Sequence, residues 1–244
     1  MLEIAGHRGA AGLRPENTLA GFHRALDLGC PWVECDVHAT RDGHVVVIHD
    51  ATLERTTNGH GNVGDHTLEN LRRLDAGGGE AIPTLEEVLT LVKGRARFLC
   101  ELKDPNAVEA AVAAVAAHKM VDTTVFISFQ WDTLRQARAL LPGAAVAPLT
   151  LEPDPVIVDA ALDMGAVAVD LYYRILQPLL IERIREAGLA LYTFTPNTPR
   201  LLYAMAALGV DVLTTDRPDW LLPHASAANA LLKSLDATQA PALP

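Results

Sequence analysis

Cysteine and aromatic residues are scarce in this chain: three cysteines, and Phe, Trp and Tyr together at 5% of 244 residues. Cys30, Cys35 and Cys100 form an odd set with no CxxC spacing, which argues against a disulfide framework and against a thiolate zinc site. Positive charge is also in deficit. Twenty Lys and Arg face 30 Asp and Glu, a formal net charge of −10. A dedicated nucleic-acid binder carries a basic footprint, which is missing, and an anionic membrane surface repels such a chain. No run of about 18 apolar residues occurs, so no membrane span is expected. The opening residues Met1, Leu2, Glu3 and Ile4 read as a strand, not as a basic segment followed by an apolar one, so no signal peptide is expected. These absences predict a protein of the reducing cytoplasm, with no nucleic-acid partner and no stable membrane association.

What is abundant is apolar sequence, 50% of residues, arranged as β-rich runs that alternate with helical patterns. Strands are expected at Leu2–Ala5, Trp32–Val37, Val45–Ile48, Phe98–Leu102, Thr124–Ser128, Ala145–Leu149, Ala166–Asp170, Leu189–Phe194 and Val210–Thr214. Between them, Leu19, Phe22, Ala25 and Leu26 share one helical face of Thr18–Leu28. Val108, Ala111, Val112 and Val115 do so after Pro105, and Leu134, Ala137 and Leu141 after Trp131. Asn17 and Asp132 read as N-caps, and Gly29 and Gly188 as C-terminal stops. Strands separated by helices imply βαβ units and a parallel sheet. With Val45–Ile48 taken as a hairpin partner of Trp32–Val37, eight principal strands remain, which predicts a (β/α)8 TIM barrel. The alternative, an open doubly wound sheet, lacks a GxGxxG after its first strand.

The expected organisation is one barrel domain over residues 1–222. The polar, glycine-rich stretch 51–80 is too long for an ordinary loop and reads as an insertion that is functional or a small subdomain. Residues 223–244 read as a short helix near Ala227–Leu235 followed by disorder.

Barrel active sites lie at the C-terminal ends of the strands. The first strand ends in His7 and Arg8. In the second, side-chain alternation puts Glu34 and Asp36 on one face, opposite Val33, Cys35 and Val37. Two carboxylates about 6.6 Å apart on an inward face repel unless a cation lies between them. The hairpin strand runs into His49 and Asp50. The strand at Phe98–Leu102 contributes Glu101 and Lys103 to one face, with Cys100 turned outward into packing. Oxygen-only ligands suit a hard divalent cation, Mg2+ or Ca2+, with Mn2+ a further candidate. Paired histidines suit acid–base work near neutral pH. Arg8 and Lys103 suit a phosphate. Metal, acid–base pair and cations together describe phosphoester cleavage. The remaining histidines, His23, His38, His44, His60, His66, His118 and His224, read as surface or core residues. Phe129, Trp131, Tyr172 and Phe194 are candidates for the pocket mouth. Glu16 and Asn17 read as loop and cap residues, with Glu16 a candidate ion-pair partner of Arg8.

The stretches HRGAAGLRPENTLAGFHRAL, WVECDVHATRDGHVVVIHDATLERTTNGHG, IPTLEEVL, FLCELK, FISFQWDTLRQAR and VLTTDRPDWL make the sequence resemble the glycerophosphodiester phosphodiesterase family over roughly residues 4–222. The resemblance implies a phosphodiesterase barrel that splits glycerophosphodiesters, small-molecule substrates, into sn-glycerol 3-phosphate and an alcohol. It assigns His7 and His49 to the acid–base pair, Glu34, Asp36 and Glu101 to the metal, and Arg8 and Lys103 to the phosphate. Two departures stand out. The insertion runs through Asp75, Ala76, Gly77, Gly78, Gly79 and Glu80 almost directly to Ile82, without the aromatic stretch common in the family. The usual WTVN is here Tyr192, Thr193, Phe194 and Thr195, without the Asn. Two alternatives use the same barrel: a lysophospholipase-D-like hydrolase, which needs an apolar surface at the rim, and a non-catalytic binding module, which should have lost a histidine or a metal ligand. The alcohol leaving group and the oligomeric state stay open at this point.

Overall fold

The structure, a computed structural model, describes residues 1–239, with side chains described through Ala230. Among the described residues, nine strands form one sheet: β1 (Glu3–Gly6), β2 (Trp32–Ala39), β3 (Val45–Val47), β4 (Arg97–Leu102), β5 (Thr124–Ser128), β6 (Ala145–Thr150), β7 (Ala168–Tyr172), β8 (Ala190–Phe194) and β9 (Val212–Thr215). All but β3 are parallel, and β1 pairs with both β2 and β9, which closes the eight into a barrel. β3 pairs antiparallel with the far end of β2, Val37 opposite Val47. The helices are α1 (Leu19–Asp27), α2 (Leu68–Leu71), α3 (Leu85–Val92), α4 (Val108–Ala117), α5 (Trp131–Leu140), α6 (Val156–Asp163), α7 (Pro178–Glu186), α8 (Pro199–Ala207) and α9 (Pro218–Gln239). This is the (β/α)8 barrel with an extra strand after β2.

The two-residue period of each strand sorts side chains between lumen and helix layer. Ala5, Trp32, Leu99, Val125, Ile127, Ala147, Leu149, Ala168, Tyr192 and Val212 fill the lumen. Trp32 and Tyr192 meet edge to face at 6.1 Å. The alternate residues Val33, Cys35, Val37, Phe98, Cys100 and Leu102 turn outward into the core beneath α1, α3 and α4. Val169, Leu171, Leu191 and Leu213 pack outward on α6, α7 and α8. The three cysteines are buried, reduced packing residues. The insertion has its own small core of Leu53, Val63, Leu71 and Ala76 against Val46, Ile48 and Ile82.

Several local readings are corrected. The N-cap of α1 is Thr18, whose hydroxyl accepts from Gly21 N at 3.2 Å; Asn17, in the left-handed region at φ 56°, turns inward instead. Asp132 lies inside α5, one residue past its start at Trp131, and pairs with Arg135 at 2.8 Å. β7 and β9 start two residues later than expected because the preceding residues finish the helix turns: Ala166 N donates to Ala161 O and Val210 N to Met205 O. Gly29 and Gly188 do close their helices, at φ 83° and 71°. The C-terminal helix is α9 from Pro218, not a separate element from residue 227. Asn229 clamps it to the residue preceding β1 by exchanging two 2.9 Å hydrogen bonds with the Leu2 backbone. The disorder expected after Leu235 is corrected as far as Gln239, where α9 ends; its remainder, residues 240–244, lies outside the described residues.

Candidate active site

A cavity of about 290 Å³ opens at the C-terminal ends of the strands. One half is polar, lined by His7, Arg8, Glu34, His49, Glu101 and Lys103 from β1, β2, β4 and the turn after β3. The other half is apolar and aromatic, with Phe129, Leu149, Leu151, Tyr172 and Phe194 from the ends of β5 to β8. Phe194 stands between Phe129 at 5.9 Å and Tyr172 at 6.0 Å. Trp131, the fourth aromatic candidate, is not in this lining. Its indole N–H is committed to Leu149 O at 3.0 Å and its ring packs between the two outer cores.

Glu34, Asp36 and Glu101 each present an oxygen within 4.8 Å of the other two, and all three are buried. Register explains the meeting: Asp36 is the direct partner of Glu101 across the β2–β4 pair. Burial, then the charges of Asp36 and Glu101, push the Glu34 carboxyl well above its usual range. Burial and Asp36 raise Glu101 to about 7. Burial also works against Asp36, but Lys103, Arg8 and His49 outweigh it, with a hydrogen bond from Asn17, and hold it down at about 2. Asp36 Oδ1, 3.4 Å from Lys103 Nζ, has no hydrogen-bond partner. Three buried carboxylates, two of them raised by burial and by the charge of Asp36, with an unpartnered oxygen on Asp36, fit a hard divalent cation, which removes the repulsion that burial amplifies.

Each histidine is held through Nδ1. His7 Nδ1 lies 2.6 Å from Asp216 Oδ1, and His49 Nδ1 lies 2.5 Å from Asp50 Oδ1. A carboxylate on one ring nitrogen fixes the ring and leaves Nε2 for proton transfer. His7 Nε2 is 4.0 Å from Glu34 Oε2. Burial lowers the His49 pKa, against the opposing effects of Asp36 and Asp50. His38, read as a core residue, is buried and meets the His49 carbonyl at 3.1 Å through Nε2.

Arg8 occupies the left-handed region at φ 48°. That turn points its backbone N–H at Glu34 Oε2, 2.8 Å away. Gly9 completes it at φ 82°, where a Cβ would come within 2.5 Å of the α1 backbone. The guanidinium reaches Glu16 at 2.7 Å and Asp36 at 3.3 Å. Lys103 Nζ reaches Glu101 at 2.8 Å. Both cations border the cavity and both are held by its carboxylates.

The structure thus brings together all seven residues singled out from the sequence. It adds others that the sequence reading missed. Asp216 directly follows β9, 209 residues from His7. Asn17 donates to Asp36 Oδ2 at 2.8 Å. Arg55, from the insertion, makes two hydrogen bonds to Asp50 (2.6 and 3.1 Å) and two to Glu16 (both 2.8 Å), so one side chain ties the partner of His49 to the partner of Arg8. Asn197 lies two residues beyond the position where an Asn is missing. Its side chain donates to Asp216 Oδ2 at 2.7 Å and accepts from Asp216 N at 2.9 Å. Asp170, on β7, lies on the cavity wall. The signal for Asp216 and Asp170 was available: each is a carboxylate at the C-terminal end of a strand, the criterion that found Glu101.

The model of the glycerophosphoryl diester phosphodiesterase family matches residues 7–220. A glycerophosphodiester phosphodiesterase of Caldanaerobacter subterraneus subsp. tengcongensis is 36% identical over 237 residues, covering 90% of this chain and 96% of that one. One from Bacillus subtilis is 32% identical over 243 residues, covering 87% and 83%. Among solved structures, an Oleispira antarctica phosphodiesterase in complex with the product sn-glycerol-3-phosphate superposes with a TM-score of 0.87 at 28% identity, covering 93% of this chain and 96% of that one.

Proposed function

Because the chain belongs to the glycerophosphoryl diester phosphodiesterase family, we propose that it hydrolyses glycerophosphodiesters to sn-glycerol 3-phosphate and an alcohol, using His7 and His49 as an acid–base pair. The observation that carries this reading is the pair of carboxylate-held histidines, His7 with Asp216 and His49 with Asp50, beside a buried carboxylate triad and two cations. Arg8 and Lys103 bind the phosphate oxygens. Glu34, Asp36 and Glu101 hold Mg2+ or Ca2+, with Mn2+ as a further candidate. When bound, such an ion neutralises phosphoryl charge and acidifies a hydroxyl near it.

Of the two nucleophiles available, the substrate's own 2-hydroxyl has the advantage of being held next to phosphorus. One histidine takes its proton while the other protonates the departing alkoxide. When water opens the resulting cyclic phosphate, the two exchange roles. A substrate analogue without the 2-hydroxyl separates the routes: binding without turnover supports the cyclic route, and turnover near the normal rate shows direct attack by water.

Among the described residues, no helix is long and apolar enough to cross a membrane. A small phosphodiester substrate in the cytoplasm suits the acidic chain and its reduced cysteines. The rim does carry apolar surface: Phe129 is 40% and Leu151 54% exposed. They come from the ends of β5 and β6, not from the insertion. This favours keeping lysophospholipids as a second substrate class. The test is a release assay over glycerophosphocholine, glycerophosphoethanolamine, glycerophosphoglycerol and a lysophospholipid, each with and without chelator. Release of sn-glycerol 3-phosphate from the first three, abolished by chelator, is expected; faster turnover of the lysophospholipid selects the second reading.

A further inference from the structure

Asp170 is the one carboxylate among the described residues that lines the apolar half of the cavity. It sits on β7 in the inward register of Ala168 and Tyr172, with Leu149 of β6 and Tyr192 of β8 as its direct strand partners. Its exposure is 1%. Oδ1 is buried with no hydrogen-bond partner. The neighbouring acids each have at least one oxygen engaged: Glu34 by Arg8 N–H, Asp36 Oδ2 by Asn17 and Glu101 by Lys103, while Asp36 Oδ1 is left to the candidate cation. Asp170 is not one of the three carboxylates that converge on the candidate cation.

A buried carboxyl without a partner is destabilising, more so when charged, unless something that enters the site satisfies it. None of the side chains around it, Leu149, Leu151, Tyr172, Phe194 and its strand partner Tyr192, hydrogen-bonds Oδ1, so the partner is a group brought by the substrate. The phosphate of a glycerophosphodiester belongs with Arg8 and Lys103, in the other half of the cavity. What remains of the constant part of the substrate is glycerol. Its 2-hydroxyl is spoken for by the chemistry, and its terminal hydroxyl needs a polar partner on the apolar side. A hydroxyl both donates and accepts, so it pairs with a carboxyl in either protonation state.

We propose that Asp170 is a substrate-binding residue that hydrogen-bonds the free terminal hydroxyl of the glycerol moiety and so selects unacylated glycerol esters. This deepens the phosphodiesterase reading and rests on it. A site built around a hydroxyl rejects the analogue that lacks it, because the buried partner is then left unpaired.

The test compares two chromogenic esters with the same leaving group and the same 2-hydroxyl: 2,3-dihydroxypropyl p-nitrophenyl phosphate and 2-hydroxypropyl p-nitrophenyl phosphate. Wild type should prefer the first by ~10–100-fold in kcat/KM. Asp170→Leu should reduce that ratio to within about threefold of unity through loss on the dihydroxypropyl ester, with Mn2+ stoichiometry as in wild type. Asp170→Asn, which keeps a hydrogen-bonding amide of the same size, should retain part of the preference. A wild type that cleaves both esters equally overturns the assignment without recourse to any variant. So does an Asp170→Leu protein that keeps the wild-type ratio, or one that loses Mn2+. A wild type that cleaves neither ester overturns the phosphodiesterase reading itself, and this assignment falls with it.

Discussion

Without a divalent cation, Glu34, Asp36 and Glu101 face one another in a buried site, and the cost should appear as an inverted pH dependence of stability. Burial and the Asp36 charge raise Glu101 from 4.5 to about 7. In the unfolded chain the group titrates near its ordinary value of about 4.3. Between these two values the folded protein binds more protons than the unfolded one. Stability is therefore fullest below the window and falls as pH rises through it. A rise of that size corresponds to about 3–4 kcal/mol, most of it lost between about pH 5 and about pH 8. Urea unfolding of EDTA-treated protein at the two pH values should show wild type losing about 2–3 kcal/mol more than Glu101→Gln on the way up. Titrating histidines act on both proteins alike and cancel in the comparison. Added Mg2+, Mn2+ or Ca2+ should stabilise wild type more at pH 8 than at pH 5, because the cation binds the deprotonated carboxylates. Equal pH dependence in the two proteins, or a metal-free wild type more stable at pH 8, refutes the reasoning.

His7→Ala and His49→Ala should each lower kcat by ~10²–10⁴ with the cation content intact, since each removes one proton-transfer partner; elemental analysis alongside kinetics checks both halves. Asp216→Ala should cost ~10–100-fold in activity by freeing the His7 ring, and a near-wild-type rate contradicts the hydrogen bond's role. Exchanging Arg55 for Met cuts Asp50 and Glu16 loose together, so both kcat and KM for the phosphodiester should worsen, whereas Arg73→Met in the same insertion should change neither. Because burial lowers the His49 pKa, its protonated form is lost as pH rises through a value below the ordinary 6.5 or so. The limb of the rate profile that vanishes in His49→Ala should therefore lie on the acid side of 6.5.

Much of the site was legible because strand alternation is a strict geometric rule. Glu34 and Asp36 share the lumen with Trp32, and Glu101 shares it with Leu99, while Cys35 and Cys100 fall outward. Where the rule competed with local chemistry, the sequence misled. Asn17 and Thr18 are both good caps. Thr18 takes the role because Asn17, at positive φ, is drawn to the buried Asp36. The support of His7 was not legible from its neighbours in the chain. Asp216 becomes adjacent only when β1 pairs with β9, with Gly6 opposite Thr215. Arg55 lay in a glycine-rich stretch with no periodicity to mark its direction, and its role depends on two partners from different loops. The reading at β8 stopped at Thr195 and so passed over Asn197, two residues further on, which reaches Asp216.

The most direct measurement is the yield of sn-glycerol 3-phosphate from glycerophosphocholine incubated with the purified protein, its cation present, beside the His7→Ala and His49→Ala variants. The site described here predicts sn-glycerol 3-phosphate and choline in equal amounts from wild type, with the yield falling by ~10²–10⁴ in either variant. No product from the wild type, or equal rates in all three proteins, would contradict it.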